Sequence, residues 1–399
     1  MSAGQLPLAL QAEIGSTSMN QHAEPRKPVG AGADPIGAAH PSASPGHSPG
    51  YSPGHSPAYS EGSQPGSASA VAAREGILEI PGGLVLHHGG RLDGAKLAWR
   101  MTGPAQAPVV LVLGGISGHR NVFSSGGRAG WWNEVAGPGM ALDANRWRIL
   151  GFDYLGGSGE TTGPRGGEAF AAISSYDQAE MLLRLLNHLG LRALHAIIGA
   201  SYGGMVGLAF AERYPDRVAK LFVMSAGDRT HPMSTAWRSV QRRIIRFAQQ
   251  CGRPAEGLKL ARALAMSTYR SHEEFAARFT EVPRALDVTA TGQSFVFPVE
   301  EYLMSRGEDY AAKYQPDGFL CLSESIDLHR VDATRIFTPT TVVAVREDQL
   351  VPLADLRAMA ARLPHAKFHE FSSIYGHDAF LKEGEQLKLL FDRLLGVAA

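Results

Sequence analysis

The sequence predicts an α/β fold: a mostly parallel central sheet with helices on its faces, a helical insertion, and a disordered N-terminal tail. Three observations lead there. Apolar runs that end in glycine, such as Val109 to Gly115 and Leu194 to Gly199, read as parallel strands buried on both faces. Segments with helical spacing alternate with those runs. From about residue 229 to residue 328 the alternation stops, and helix follows helix.

Residues 1–72 are rich in Ser, Pro, Gly and Ala, with the near-repeat PSASPGHSPGYSPGHSPAYSEGSQPGS from Pro41 to Ser67. Such a segment buries too little apolar surface to offset the entropy of ordering, so it is expected to be disordered. His47 and His55 within it read as parts of a solvated linker. The folded domain is expected over 73–399. ILEI and GLVLHHGG should pair as an antiparallel hairpin about Pro81, Gly82 and Gly83. Val109 to Gly115 and Arg146 to Asp153 follow as strands. DQAEMLLRLLNHLG, Asp177 to Gly190, has helical spacing and a glycine at its C-cap. The strand LHAIIG leads into a helix from Tyr202 to Tyr214, which Pro215 stops. KLFVMSAG and TTVVAV extend the sheet, and EQLKLLFDRLLG closes the chain as an amphipathic helix. Over 229–328, STAWRSVQRRIIRFAQQ and EGLKLARALAMSTYR are helical, and no strand is expected before Thr340. A lid over the C-terminal edge of the sheet explains this insertion, because open α/β sheets bind ligands at that edge.

Composition narrows the function. The 399 residues, 44% hydrophobic, suffice for a large buried core. Thirty-eight basic residues balance thirty-eight acidic ones, which argues against nucleic acid or an anionic membrane as partner. Cys251 and Cys321 cannot make a disulfide framework or a cysteine-rich zinc site. No uncharged apolar run reaches ~18 residues, and the N-terminus lacks a basic secretory start, so a cytoplasmic location is expected.

Gly199-Ala200-Ser201-Tyr202-Gly203 matches G-x-S-x-G, the nucleophile elbow of α/β-hydrolases. The pattern alone is weak, since it recurs at Ser48 and Ser52 in the tail. Context separates Ser201: an apolar strand leads in, a helix leads out, and small residues permit the sharp turn. A serine nucleophile needs a base and an acid, in this fold in the order Ser, acid, His. Asp348 follows the strand TTVVAV in REDQLVP. His377 lies in SSIYGHDAFL, between the strand-like AKFHEF and the last helix. Glu347 and Asp332 rival Asp348, but one is at the strand end and the other precedes it. The oxyanion amides are expected from Tyr202 and from Ile116 or Gly115 in GGISGH.

Beyond the fold, the chain from residue 77 onward resembles the homoserine O-acyltransferase family. GWWNEVAGPGMALD, LGGSGETTGP, GASYGGMVGLAFAERYPDRV, TYRSHEEFAARF, FPVEEYL and YGHDAFL carry the likeness. The resemblance implies acyl transfer from coenzyme A to Ser201 and then to an amino-acid hydroxyl, with Asp348 and His377 completing the triad. It also implies that Arg270 meets the acceptor carboxylate, that Asp378 meets its ammonium group, and that Tyr302 belongs to the same pocket. Three departures surround the acyl pocket. Ile116-Ser117-Gly118-His119 replaces a leucine-threonine-glycine-acid loop, Tyr202 replaces methionine, and Asp153-Tyr154 replaces asparagine-valine.

The expected activity is therefore acyl-CoA-dependent acylation of L-homoserine in methionine biosynthesis. Acetyl-CoA is narrowly preferred to succinyl-CoA, and L-serine is an alternative acceptor. A serine esterase or thioesterase is the rival within the fold, which Arg270 and Asp378 disfavour because water needs no charged clamp. A non-catalytic binding protein is disfavoured by the complete triad. No cofactor or metal is expected beyond the acyl-CoA co-substrate, and the lid helices offer a surface for a homodimer.

Overall fold

The structure is a computed structural model that describes residues 73–166 and 169–396. The tail expected to be disordered, 1–72, lies outside them. Eight strands build one sheet: β1 (Ala73–Glu79), β2 (Lys96–Thr102), β3 (Val109–Leu113), β4 (Arg148–Phe152), β5 (Ala196–Ala200), β6 (Leu221–Met224), β7 (Thr340–Val345) and β8 (Ala366–Phe371). Their spatial order is β1-β2-β4-β3-β5-β6-β7-β8, with β2 antiparallel to both its neighbours and every later pair parallel. The chain steps from β3 to β4 on one side and then to β5 on the other. A crevice therefore opens beyond the C-terminal ends of β3 and β5, where such sheets take ligands.

The opening hairpin differs from expectation. β1 pairs with β2, Ile77 opposite Ala98, and Leu84–Val85 makes a separate ribbon with Arg91–Leu92. Pro81, Gly82 and Gly83 do form a turn, but it ends β1 without returning along it. β2 buries six consecutive residues, from Leu97 to Thr102, and so makes the better partner.

Period-two alternation splits the core. Leu111, Leu113, Ile197, Val223 and Val342 face one layer, and Val110, Val112, Ile198, Phe222 and Val343 face the other. The first layer is covered by α1 (Ser175–His188) and α2 (Tyr202–Arg213). The helix α1 starts where Asp177 accepts hydrogen bonds from the Ser174 backbone N–H at 2.7 Å and hydroxyl at 2.9 Å. It stops before Gly190, whose φ of 67° suits a left-handed C-cap.

Between β6 and β7 run α3 (Pro232–Gln250), α4 (Pro254–Tyr269), α5 (His272–Arg278), α6 (Val288–Thr291), α7 (Pro298–Ala311) and α8 (Pro316–Asp327). Four of them begin on proline, whose missing N–H costs nothing in a first turn. Ile245, Leu258, Tyr310 and Phe319 give these helices a core of their own. A short ribbon, Arg284–Ala285 with Phe295–Val296, interrupts them where no strand was expected. Then α9 (Leu353–Ala360) joins the first layer, and α10 (Ala379–Lys382) and α11 (Gly384–Leu395) join the second. Among the described residues no helix is long and apolar enough to cross a membrane.

Candidate active site

Ser201 sits between β5 and α2 with φ 54° and ψ −124°, a conformation that side chains rarely adopt. Its own N–H donates to Met224 O at 2.9 Å, and that of Gly203 to Gly114 O at 2.9 Å, so strands on either side hold the turn. A Cβ at Gly203 would lie 2.3 Å from the Leu113 carbonyl oxygen, which excludes every larger residue.

The loops after β7 and β8 bring two more residues to Ser201. His377 Nε2 lies 2.9 Å from Ser201 Oγ, and its Nδ1 lies 2.8 Å from Asp348 Oδ2. The other carboxylate oxygen of Asp348 accepts the Leu350 and Val351 amides at 2.9 and 3.0 Å, which aims Oδ2 at the ring. Asp348 and His377 are both buried. Burial pushes the imidazole pKa down, but the Asp348 carboxylate, assisted by Asp378, lifts it further, and the net result is above the ordinary value. With Nδ1–H turned to Asp348, Nε2 is left to accept the serine proton. In this arrangement a hydroxyl can attack a carbonyl carbon. The rival acids are engaged elsewhere. Glu347 accepts from Ser372 and from the Ser373 N–H, and Asp332 caps the turn at Thr334.

Gly115 faces the Ser201 side chain, since a Cβ there would stand 3.9 Å from Ser201 Oγ. Among the described residues, the Ile116 and Tyr202 amides have no protein acceptor, so both are available to an anion. The departures noted in the sequence lie behind these two donors. The Tyr202 hydroxyl meets Ser325 Oγ at 2.6 Å and accepts from Gln178 at 3.3 Å. Tyr154 packs edge-on against Tyr202, 5.0 Å between centroids, and donates to Gly114 O at 2.7 Å. Asp153 accepts from the Arg120 guanidinium at 2.5 Å and from its N–H at 2.8 Å.

A cavity of about 210 Å³ opens over Ser201 and His377, with Ile116, Trp131, Arg262 and Asp378 in its wall. A basic depression adjoins it through shared residues Ser117, Arg262 and Tyr314, and adds Arg270, Arg278, Arg306, Lys313 and Lys382. Asp378 is thus in the cavity, whereas Arg270 and Tyr302 line the depression. Arg270 is 3.3 Å from Asp378 and 3.1 Å from Glu274, so the Arg270–Asp378 pair spans the wall. Tyr302 lies away from Ser201 because its ring packs on Phe279, 5.1 Å between centroids, and under Arg278.

Sequence reasoning missed three members of the wall. Trp131, in GWW, presses its ring on Gly114 and donates to His119 O at 2.9 Å. Ser225 has a φ of 51° and a buried hydroxyl that has no partner among the described residues. Arg262 is one of many arginines in the insertion, and nothing local marks it out.

A family model described as alpha/beta hydrolase fold matches residues 108–384. The chain is 40% identical to a homoserine O-succinyltransferase of Xanthomonas campestris over 316 residues, 78% of this chain and 82% of that protein. It is 34% identical to a homoserine O-acetyltransferase of Thermus thermophilus over 291 residues, 67% of this chain and 73% of the other. The crystal structure of homoserine O-acetyltransferase from Bacillus anthracis matches with a TM-score of 0.73 and 18% identity, covering 83% and 99% of the two chains. At that identity the last likeness is one of fold.

Proposed function

Because the chain belongs to the homoserine O-acyltransferase family of the α/β-hydrolase fold, we propose that Ser201, His377 and Asp348 move an acyl group from coenzyme A to the side-chain hydroxyl of L-homoserine. His377 Nε2 takes the Ser201 proton as Oγ attacks the thioester carbonyl. The tetrahedral oxyanion is held by the Ile116 and Tyr202 amides. The C–S bond breaks, the thiol leaves with the proton from His377, and an acyl ester remains on Ser201. The acceptor hydroxyl then gives its proton to His377 and attacks that ester. O-acylhomoserine departs, and Ser201 recovers its proton.

One observation carries transfer over hydrolysis: the Arg270–Asp378 ion pair beside His377. A zwitterionic amino acid can replace each half of that pair, its carboxylate meeting Arg270 and its ammonium Asp378, without leaving either charge unpaired. Water offers no such exchange. In the basic depression, Arg278, Arg306, Lys313 and Lys382 suit the phosphates of coenzyme A. In the cell, the reaction would supply an activated homoserine ester to methionine biosynthesis.

The test is thiol release from acetyl-CoA and succinyl-CoA with homoserine, serine or no acceptor. Homoserine should accelerate release and be consumed in equal amount. Release at the same rate without acceptor would establish a thioesterase instead. Ser201→Ala should leave the fold intact and form no acyl-enzyme.

A further inference from the structure

Arg262, on α4, stands where the Ser201 cavity meets the basic depression, and it lines both. Its charge is balanced unlike that of its neighbours. On the cavity wall, Arg238 is 2.6 Å from Asp327, and Arg229 is exposed to solvent. Arg270, behind the wall, has Glu274 and Asp378. Arg262 is half-buried, and among the described residues no carboxylate lies within ion-pair distance of it. Aromatic faces hold it instead. Its guanidinium sits 4.6 Å from the Tyr310 centroid and 5.0 Å from that of Tyr269, and one N–H reaches the Tyr269 hydroxyl at 3.3 Å.

That setting fixes the guanidinium while leaving most of its five donors open. Tyr310 stacks on Tyr314, 4.2 Å between centroids, and Tyr314 donates to Ser117 O at 2.9 Å, beside the oxyanion loop. Arg262 and the acyl-accepting end of the cavity therefore form one rigid assembly. Burial presses the guanidinium toward neutrality, but Tyr269, Tyr310 and Asp378 more than offset it, and the group stays charged. A half-buried cation with free, forked donors and, among the described residues, no carboxylate at ion-pair distance can take an anion, and a carboxylate fits that fork in a bidentate fashion.

We propose that Arg262 is the subsite for the free carboxylate of a dicarboxylic acyl group, so that the donor is a succinyl-type thioester. The inference rests on Ser201 being the acylated residue, as proposed above. An acetyl group, narrowly favoured by the sequence, would leave Arg262 without a carboxylate partner. The acceptor's carboxylate has Arg270.

The experiment reads acylation of Ser201 in the full-length protein before any acceptor enters. Acyl-enzyme formation is followed by mass spectrometry with succinyl-CoA, with butyryl-CoA as its uncharged counterpart, and with acetyl-CoA. Wild type should be acylated by succinyl-CoA at least about tenfold faster than by butyryl-CoA, as a charge-assisted bidentate pair allows. Arg262→Gln should lose about that factor with succinyl-CoA and stay within about twofold with acetyl-CoA. Arg262→Lys, which keeps the charge without the fork, should fall between, and serves for the comparison if the glutamine variant does not fold. Equal wild-type rates with succinyl-CoA and butyryl-CoA would overturn the proposal. So would an equal loss with every donor, which would assign Arg262 to the coenzyme phosphates. If the acyl group passes to water rather than homoserine, transfer fails but this comparison still stands. An unlabelled Ser201 with every donor would overturn both readings.

Discussion

The Tyr202 hydroxyl lies 2.6 Å from that of Ser325, tying the residue after Ser201 to helix α8 of the insertion. Both groups are buried, and Gln178 is the only other partner that the tyrosine hydroxyl has among the described residues. Tyr202→Phe keeps the ring and strands the Ser325 hydroxyl, while Gln178 keeps its two hydrogen bonds to the Leu155 backbone. Stability in urea should fall by about 1–3 kcal/mol, the cost of a buried hydroxyl left unpaired, with an unchanged m-value. An unshifted midpoint would mean that Ser325 re-pairs.

The acid limb of the rate profile should report His377. A base must be neutral, and the imidazole pKa is raised because Asp348 and Asp378 outweigh burial. Acylation should therefore decline as the pH falls through a value above the ordinary histidine pKa. Asp348→Asn removes the main lifting charge and leaves burial, so the limb should move to lower pH while kcat drops by about 10⁴-fold. The pH dependence of kcat/KM for the acyl donor gives the limb, and kcat at saturating substrate gives the loss. A limb that stays in place in the variant would assign it to another group.

The two half-reactions should separate at Arg270. Arg270→Ala should leave acylation of Ser201 largely intact and lower kcat/KM for homoserine at least about tenfold, through loss of charge-assisted hydrogen bonds. Pre-steady-state acylation and steady-state transfer on the same variant make the comparison. Equal damage to both steps would place Arg270 with the triad or the donor.

Gly376 precedes His377 with φ 52°, and a Cβ there would stand 2.8 Å from the Tyr269 carbonyl oxygen. Gly376→Ala should push the His377 loop off its backbone neighbour. A displacement of about 1 Å costs roughly 10²-fold in rate. Single-turnover acylation at wild-type rate would show that the loop absorbs the methyl group.

Met233, Val240 and Phe247 are exposed at seven-residue intervals on α3, with Phe247 at 69%. That spacing aligns them on one helix face, which suits an apolar stripe covered by a second copy of the chain. Sedimentation should find a dimer for wild type and a monomer for Phe247→Glu. A wild-type monomer at micromolar concentration would refute the interface.

The sheet and the surroundings of Ser201 were legible in the sequence for local reasons. Strands covered on both faces, such as β3 and β5, must be apolar throughout. The turn at Ser201 tolerates nothing bulky at Gly199 and Gly203. Asp348 and His377 could be named because each sits just past a strand, where the chain must emerge at the same sheet edge. The pairing of β1 was not legible. The turn at Pro81 looks like a hairpin, and only the burial of Leu97 to Thr102 on both faces of the sheet selects β2 instead.

By itself the sequence determined the order of strands and helices, the helical insertion and the family, all written in neighbouring residues or in short motifs. The tertiary structure alone decided which charges are spent. Arg262 and Arg270 lie two turns apart, one in the middle of α4 and the other on the residue that caps it. Yet one faces tyrosine rings and open space, while the other faces two carboxylates. Whether a cation is free to hold a substrate depends on groups brought from α5, α7 and the loop before α10. Those distances are set by packing across the fold, and no stretch of sequence around either arginine contains them.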